Sequence, residues 1–471
     1  MGVPAQRSWG FGAQPRLVIM RGLRSTLVLL VVAVGLGAYV YFVEADRPPG
    51  GTPEPQDTAF SFELDDITRL MVTAGNGERT VLEKNDNRWQ LVEPFAGAVD
   101  VTEVVALTSS LTSLEIQRVV AEPEETPDLT AFGLTEPRIA VEVTTTTDTA
   151  VRLLIGDKTP TGGDLYATIA GSNRVFLIAG YLDGTFNRTT FDLRNKTILD
   201  LTRDQVDRLE IAGANPTIRL RQENNRWSLV SPIEANADLG VTNGLVGQLS
   251  TGQMAAIETE SAQSTDELAV YGLDAPRLTV TVGLGDSTAT LQIGDATSTG
   301  TVYARDTARD LVFTVNESLV AELEQGFDEY RRKNLFAFRP FNATRLEVER
   351  EGERSVYEKV DTTADDETDA WRRTGPDAGD VETSAMDDLL AKLSNLRAES
   401  FVLARDDTGL DAPVSTILVA FEGTPGEDAE ERVIVGRVGD DVFAVSGDEP
   451  GAARLNTRAW DDALEALDAL Q

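Results

Sequence analysis

The chain repeats itself, and the repetition limits its possible folds more than any other feature. Phe132-Gly133-Leu134-Thr135-Glu136-Pro137-Arg138 returns as Tyr271-Gly272-Leu273-Asp274-Ala275-Pro276-Arg277 and again as Gly409-Leu410-Asp411-Ala412-Pro413. Each copy is followed by an apolar run ending in glycine: Leu153-Leu154-Ile155-Gly156-Asp157, Leu291-Gln292-Ile293-Gly294-Asp295 and Val433-Ile434-Val435-Gly436. The glycines of the first motif lie 139 and 137 residues apart and those of the second 138 and 142. Two motifs keeping nearly one period mark three homologous domains of about 140 residues, close to the commonest domain size. We place them at residues 61–200, 201–338 and 339–471, and the 41% hydrophobic content of the 471 residues suffices for three cores.

Within the first repeat, Ile67 to Thr73, Thr80 to Lys84 and Arg88 to Val92 read as strands separated by the turn formers Asn76-Gly77 and Asp86-Asn87. Asp100 with Glu103 predicts a capping box, and Val104, Leu107, Leu111 and Leu114 follow at helical spacing. Strands are expected at Glu115 to Val120, Ile139 to Thr144, Val151 to Ile155, Leu165 to Ile169 and Arg174 to Ile178, then a short helix near Tyr181 to Phe186. Trp89, Trp227 and Trp371 recur at the end of each opening meander and predict buried core positions. Gly240, Gly244 and Gly247 weaken the second helix, whereas Ser384 and Asp387 predict a capped third one carrying Met386, Leu389, Leu390, Leu393 and Leu396. The third copy diverges: Val414 stands for the arginine after proline, Arg437 for the aspartate after glycine, and an acidic insertion runs from Asp361 to Asp369. A last helix carries Trp460, Leu464, Leu467 and Leu470 on one face, the counterparts of Leu319, Leu323 and Phe327. The expected fold is therefore α+β: three tandem, mainly antiparallel sheets, each with one or two packed helices.

Ahead of the repeats, Leu27 to Val43 is apolar and uncharged, and extended to Ser25 it reaches about 28 Å as a helix, close to a bilayer's hydrocarbon core. Arg7, Arg16, Arg21 and Arg24 precede it and Glu44 and Asp46 follow. The expectation is a single transmembrane helix over 27–43, with residues 1–26 cytoplasmic and the domains periplasmic or extracytoplasmic. A signal peptide cleaved near Val43-Glu44-Ala45 is the rival reading, and Met20 is a natural alternative start. Residues 44–60, with Pro48, Pro49, Pro53 and Pro55, read as a spacer.

Charge and absent residue types narrow the function. Beyond residue 43 the chain holds 38 basic against 78 acidic residues, a balance that repels phosphate backbones and argues against nucleic-acid binding. With no His and no Cys, the Ser-His-Asp triad, thiol nucleophiles and the usual zinc ligands lose their members. No Gly-x-Ser-x-Gly occurs, none of the six lysines follows a serine by three positions, and Gly156-Asp157-Lys158-Thr159-Pro160 lacks the upstream glycine of a phosphate loop. The run Asp361, Asp365, Asp366, Glu367 and Asp369 lacks the glycine and terminal glutamate of a calcium loop and reads as a solvated loop. Arg69, Arg208 and Arg345 recur and suit either an anion or, more simply, neighbouring carboxylates. No catalytic, cofactor or metal residue is assigned, and a non-enzymatic protein is expected.

The opening at Ile67-Thr68-Arg69-Leu70, the segment Trp89 to Pro94, Phe132-Gly133-Leu134 to Pro137, and Leu154-Ile155-Gly156-Asp157 with Tyr166 together resemble the bacterial domain-of-unknown-function family 4340. The resemblance covers residues 61–335 well and the third copy more loosely. Members of that family are typically membrane-anchored and are often encoded beside gliding-motility-type ABC transporter components. The resemblance therefore implies an accessory or scaffold in the cytoplasmic membrane, partnered by an ABC-type complex, with no cofactor. An envelope polymer- or ligand-binding module and a carboxylate-dependent hydrolase are the alternatives.

Overall fold

The computed structural model describes residues 57–213, 216–360, 370–375, 377–422, 428–447 and 449–470. The segment 27–43, the spacer up to residue 56 and the acidic insertion at 361–369 lie outside the described residues. Among the described residues no helix is long and apolar enough to cross a membrane.

The first repeat runs β1 (Ile67–Thr73), β2 (Arg79–Asn85), β3 (Arg88–Glu93), β4 (Gly97–Ala98), α1 (Val101–Thr112), β5 (Arg118–Ala121), β6 (Ile139–Thr145), β7 (Ala150–Lys158), β8 (Asp164–Ile169), β9 (Val175–Ala179), α2 (Leu182–Phe186) and α3 (Thr190–Leu193). The second contains β10 (Arg208–Ala212), β11 (Ile218–Glu223), β12 (Arg226–Ser231), β13 (Ala235–Asn236), α4 (Leu239–Thr251), β14 (Ala256–Thr259), α5 (Thr265–Ala269), β15 (Leu278–Leu284), β16 (Ser287–Ala296), β17 (Thr301–Asp306), β18 (Val312–Asn316) and α6 (Glu317–Leu323). The third contains β19 (Ala343–Arg350), β20 (Glu353–Val360), β21 (Ala370–Thr374), β22 (Gly379–Val381), α7 (Thr383–Ser394), β23 (Ala398–Val402), β24 (Ser415–Glu422), β25 (Asp428–Val438), β26 (Asp441–Ser446), β27 (Ala452–Leu455) and α8 (Thr457–Asp468). The chain divides into two compact units between Asn195 and Lys196, the first holding one sheet and the second two.

Each sheet has nine strands in the same order, β4-β3-β2-β1-β6-β7-β8-β9-β5 in the first. Every pairing is antiparallel, because two hairpin meanders run outward from the central pair β1 and β6. The link from β4 to β5 joins the two edges and carries α1. Strand alternation sets the faces: in β15, Leu278, Val280 and Val282 are buried while Thr279 and Thr281 are half-buried on the other face. Val104, Leu107 and Leu111 of α1 pack onto the core face of the first sheet, among Leu70, Val72, Leu82 and Ile155. Both edge strands are short, which limits edge-to-edge association.

The turns follow their chemistry. Asp86 and Asn87 take φ of 48° and 62°, and Asn224 and Asn225 take 49° and 61°, the left-handed values that two-residue hairpins require. Asp100 caps α1 through the N–H groups of Thr102 and Glu103, while the Glu103 carboxylate meets Arg188 at 2.8 Å. Helix α4 runs its full thirteen residues despite three glycines, because Leu245, Val246 and Leu249 are buried and burial outweighs propensity. Two expectations need correction. Glu382, not Ser384, caps α7; Ser384 lies inside the helix and donates its hydroxyl proton to Glu382. Trp227 and Trp371 are each 3% exposed, but Trp89 is only partly buried, at the rim of its core.

Before each meander a lead-in segment pairs with the residues that follow the long helix. Thr58 bridges Glu115, Thr197 bridges Gln253 and Asn334 bridges Arg397. Two main-chain bonds fix each lead-in, as in Leu335 N–H to Leu396 O (3.1 Å) and Ala398 N–H to Lys333 O (2.8 Å). After the last helix a second segment returns in two of the repeats. Arg194 bridges Val99, and Arg331 bridges Ala237.

Candidate functional site

The two motifs that define the repeat meet in space. In the first sheet Asp128 caps the short turn Leu129–Phe132, which Gly133 ends at φ +66°. Leu134 then drops, 2% exposed, onto Ala121 and Val175 on the sheet face opposite α1. Phe132 tilts against Tyr166 at 4.9 Å between ring centres. Gly156 of the second motif lies directly beneath: a Cβ there would sit 2.1 Å from the Phe132 carbonyl oxygen. One on Gly133 would sit 2.7 Å from the Asp157 carboxyl carbon. The second sheet repeats this with Gly294 beneath Tyr271 (2.1 Å), Gly272 against Asp295 (2.6 Å), and Asp295 N–H donating to Tyr271 O at 2.9 Å. Leu273 closes a small cluster there with Ala262, Leu268 and Val312. The corner is a clamp of backbone on backbone, and the glycines serve close approach.

In both of these sheets the glycine and aspartate of the second motif interrupt the ladder, which skips between Ile155 and Lys158 and between Ile293 and Ala296. The third sheet keeps an unbroken register from Val433 to Val438. Arg437 in place of aspartate goes with a regular strand, and its guanidinium reaches Asp461 at 2.6 Å. The arginine after proline also changes role. Arg138 donates to Asp183 at 2.6 Å, beside Lys158 at 3.1 Å, whereas Arg277 meets Glu324 at 3.2 Å. Burial opposes ionisation of Asp183, but the hydrogen bonds and charges of Arg138 and Lys158 outweigh it and hold its carboxyl below the usual range.

The recurring arginines Arg69, Arg208 and Arg345 each pair with a carboxylate. Arg69 faces its cross-strand neighbour Glu83 at 3.6 Å, Arg208 meets Asp207 at 3.2 Å, and Arg345 lies 3.2 Å from Glu347 and 3.5 Å from Glu358. A hydrogen bond from Arg354, against the opposing effect of burial, lowers the Glu347 pKa. These pairs belong to three different sheets.

Within the second unit, sheets two and three enclose an open cleft of about 570 Å³, lined by Arg221, Glu234, Arg332, Glu430, Arg432 and Glu449 among others. Several of its charges are already engaged. Arg332 lies 3.3 Å from Glu431, and Glu449 accepts from the N–H and the amide of Asn236 at 2.8 and 2.6 Å. Behind it Arg331, 2% exposed, stacks at 3.8 Å on the Phe401 ring and donates to Pro450 O at 3.0 Å. Burial draws the Arg331 pKa down against the charges of Glu449 and Asp328, while burial pushes the Asp328 carboxyl up. Among the described residues no aromatic side chain lines the cleft. Among the described residues no group of three or more carboxylates is placed to hold a metal ion.

Arg194 and Arg331 carry no motif that marks them in the sequence. The available signal was their shared context, Leu193-Arg194-Asn195-Lys196 and Tyr330-Arg331-Arg332-Lys333, spaced by 137 residues. Arg194 is 7% exposed and stacks on Phe95 at 4.5 Å, which places a buried cation at the close of both repeats.

Nine-stranded antiparallel sheets in tandem, clamped by paired glycines, define a repeat protein of the α+β class. The chain belongs to the family described as Domain of unknown function (DUF4340), whose model matches residues 89–251 and 227–413. Each match begins at an opening tryptophan, Trp89 or Trp227, and runs past one repeat into the next. No curated protein and no solved structure matches the chain.

Proposed function

We propose that this protein is a membrane-anchored, extracytoplasmic scaffold or accessory of an ABC-type transporter or envelope complex, acting by protein contact and not by catalysis. One observation carries the reading: the repeats keep what builds a sheet and vary what the sheet displays. The lead-in pairing recurs in all three, and so does the helix α1, α4 or α7. The arginine after proline meets Asp183 in the first copy and Glu324 in the second, and Val414 stands there in the third. Repetition of a frame under changing surfaces adds contact area, whereas catalysis needs a few groups converging at one point. Anchorage by residues 27–43 and the transporter partner rest on the charge asymmetry of the N-terminal region and on the family resemblance. The test is affinity purification of the full chain from membranes in mild detergent, followed by mass spectrometry. Stoichiometric recovery of an ATPase and a permease is expected. Recovery of the chain alone, or a turnover on the purified protein abolished by one carboxylate substitution, overturns the reading.

The cleft between sheets two and three favours a second reading, a module that binds a polar ligand. Its lining of three arginines and five glutamates suits a polar ligand that carries both signs of charge, and no aromatic side chain among the described residues is placed there for stacking on sugars.

A further inference from the structure

The three sheets are alike at one edge position except in what closes it. In the first, Asp100 N–H donates to Leu193 O and Asn195 N–H to Ala98 O, both at 2.9 Å. In the second, Asp238 N–H donates to Tyr330 O and Arg332 N–H to Asn236 O, both at 2.8 Å. The two closing segments share a pattern. An apolar residue, Leu193 (0% exposed) or Tyr330 (1%), enters the core, an arginine follows, and a lysine comes two residues later. In the third sheet the register Trp371↔Val381 and Arg372↔Asp380 puts Asp380 where Ala98 and Asn236 stand, and Glu382 where Asp100 and Asp238 stand. Among the described residues no main-chain group pairs with the Glu382 N–H or the outward carbonyl of Asp380. Both residues are exposed, as is Asp377, so among the described residues this edge is open and more acidic than its two counterparts.

We propose that the edge β22 to Glu382 of the third sheet is a docking site for an extended, basic segment of a partner protein, of the form apolar-Arg-x-Lys, added as a short antiparallel strand. The occupant is inferred from the two edges where the chain supplies that segment itself. Main-chain pairing gives the affinity; Asp380 already faces Arg372 at 3.0 Å and Glu382 caps α7, so the preference for a basic strand comes from the exposed Asp377 and the acidic balance of the edge. The inference deepens the scaffold reading above by naming the chemistry of the contact.

Glu382 has φ −64°, so proline fits its backbone and removes the outward N–H, whereas alanine removes only the side chain. The probe is a fluorescent peptide with the sequence of residues 190–199, titrated against the purified full chain by polarisation. Saturable binding at one site is expected, tenfold or more weaker with Glu382→Pro than with Glu382→Ala, and weaker for a peptide carrying glutamate at the Arg194 position. No binding, or equal binding to the two variants, overturns the proposal. A second arm repeats the membrane purification with Glu382→Pro. A partner complex kept by that variant sinks the edge inference and leaves the scaffold reading standing. A wild-type chain that recovers no partner sinks the scaffold reading, and the peptide titration still decides the edge.

Discussion

One chemical change, glycine to alanine, should act with opposite signs at two positions of the second sheet's domain. At Gly294 the new Cβ would lie 2.1 Å from the Tyr271 carbonyl oxygen, an atom of the backbone that no rotamer can move aside. Real Cβ contacts do not fall below 3.0 Å, so strand and corner must separate by about 0.9 Å. That motion lengthens the Asp295 N–H to Tyr271 O bond, now 2.9 Å, and lifts Leu273 from a site where it is 2% exposed. Overpacking of this kind costs about 1 to 3 kcal/mol and a weakened hydrogen bond about 1 more, so Gly294→Ala should destabilise by roughly 3 kcal/mol. Gly244 lies on the exposed side of α4 with nothing within 4 Å of its added Cβ. There alanine removes only the backbone entropy of glycine, and Gly244→Ala should stabilise by about 1 kcal/mol. Guanidinium unfolding followed by fluorescence reads the sign, and hydrogen exchange at the Asp295 amide reads the locality. If Gly294→Ala falls within about 0.5 kcal/mol of the parent, or both variants shift the same way, the clamp is wrong.

Trp227→Ala should cost about 3 to 5 kcal/mol, since the ring is 3% exposed and donates to Asn243 at 3.1 Å; the half-buried Trp89→Ala should cost clearly less, and equal losses in denaturant unfolding would contradict this. The Asp183 carboxyl is depressed in the folded state, so its contribution is present above the unfolded value near 3.8 and is lost as pH falls through the lower folded value. Asp183→Asn should therefore flatten the acid limb of stability against pH for the first unit, and an unchanged limb would remove Asp183 from the account. Ser298 lies in the exposed turn after β16, and the chain has no native cysteine, so Ser298→Cys should react with an impermeant maleimide in intact cells. Labelling only after lysis would refute the proposed orientation.

Sheet order was less legible in the sequence than strand identity, for a physical reason. Alternation and turn residues act over a few positions, so β1 to β3 and β6 to β9 could be read from runs such as Ile67 to Thr73 and from Asp86-Asn87. The placement of β5 beside β9 depends on contacts about sixty residues apart, and no local pattern encodes it. Trp89 shows the limit of arguing from period alone: the position is shared, but the depth of burial is set by what surrounds it. The cap of α7 shows the same limit, because Ser384 and Asp387 have the right types at the right spacing while the strand pairing Trp371↔Val381 starts the helix two residues earlier. The junction of Arg331, Phe401 and Glu449 could not be foreseen from the order of residues, since a buried arginine looks like any surface arginine until its ring partner, seventy residues on, is in place.

The connection between sheets two and three has mechanical consequences. Arg331 is fixed to Ala237 and Asn334 to Arg397, with only Arg332 and Lys333 between the two attachments. Three Cα steps span at most about 11 Å, which leaves no slack to unfold before load arrives. Tension along the chain would pass straight from one sheet's edge into the next, borne by the main-chain bonds at both attachments and by the Arg331 stack. Such a joint behaves as a rivet and not as a hinge, and pulling it should give one rupture event in place of a gradual extension.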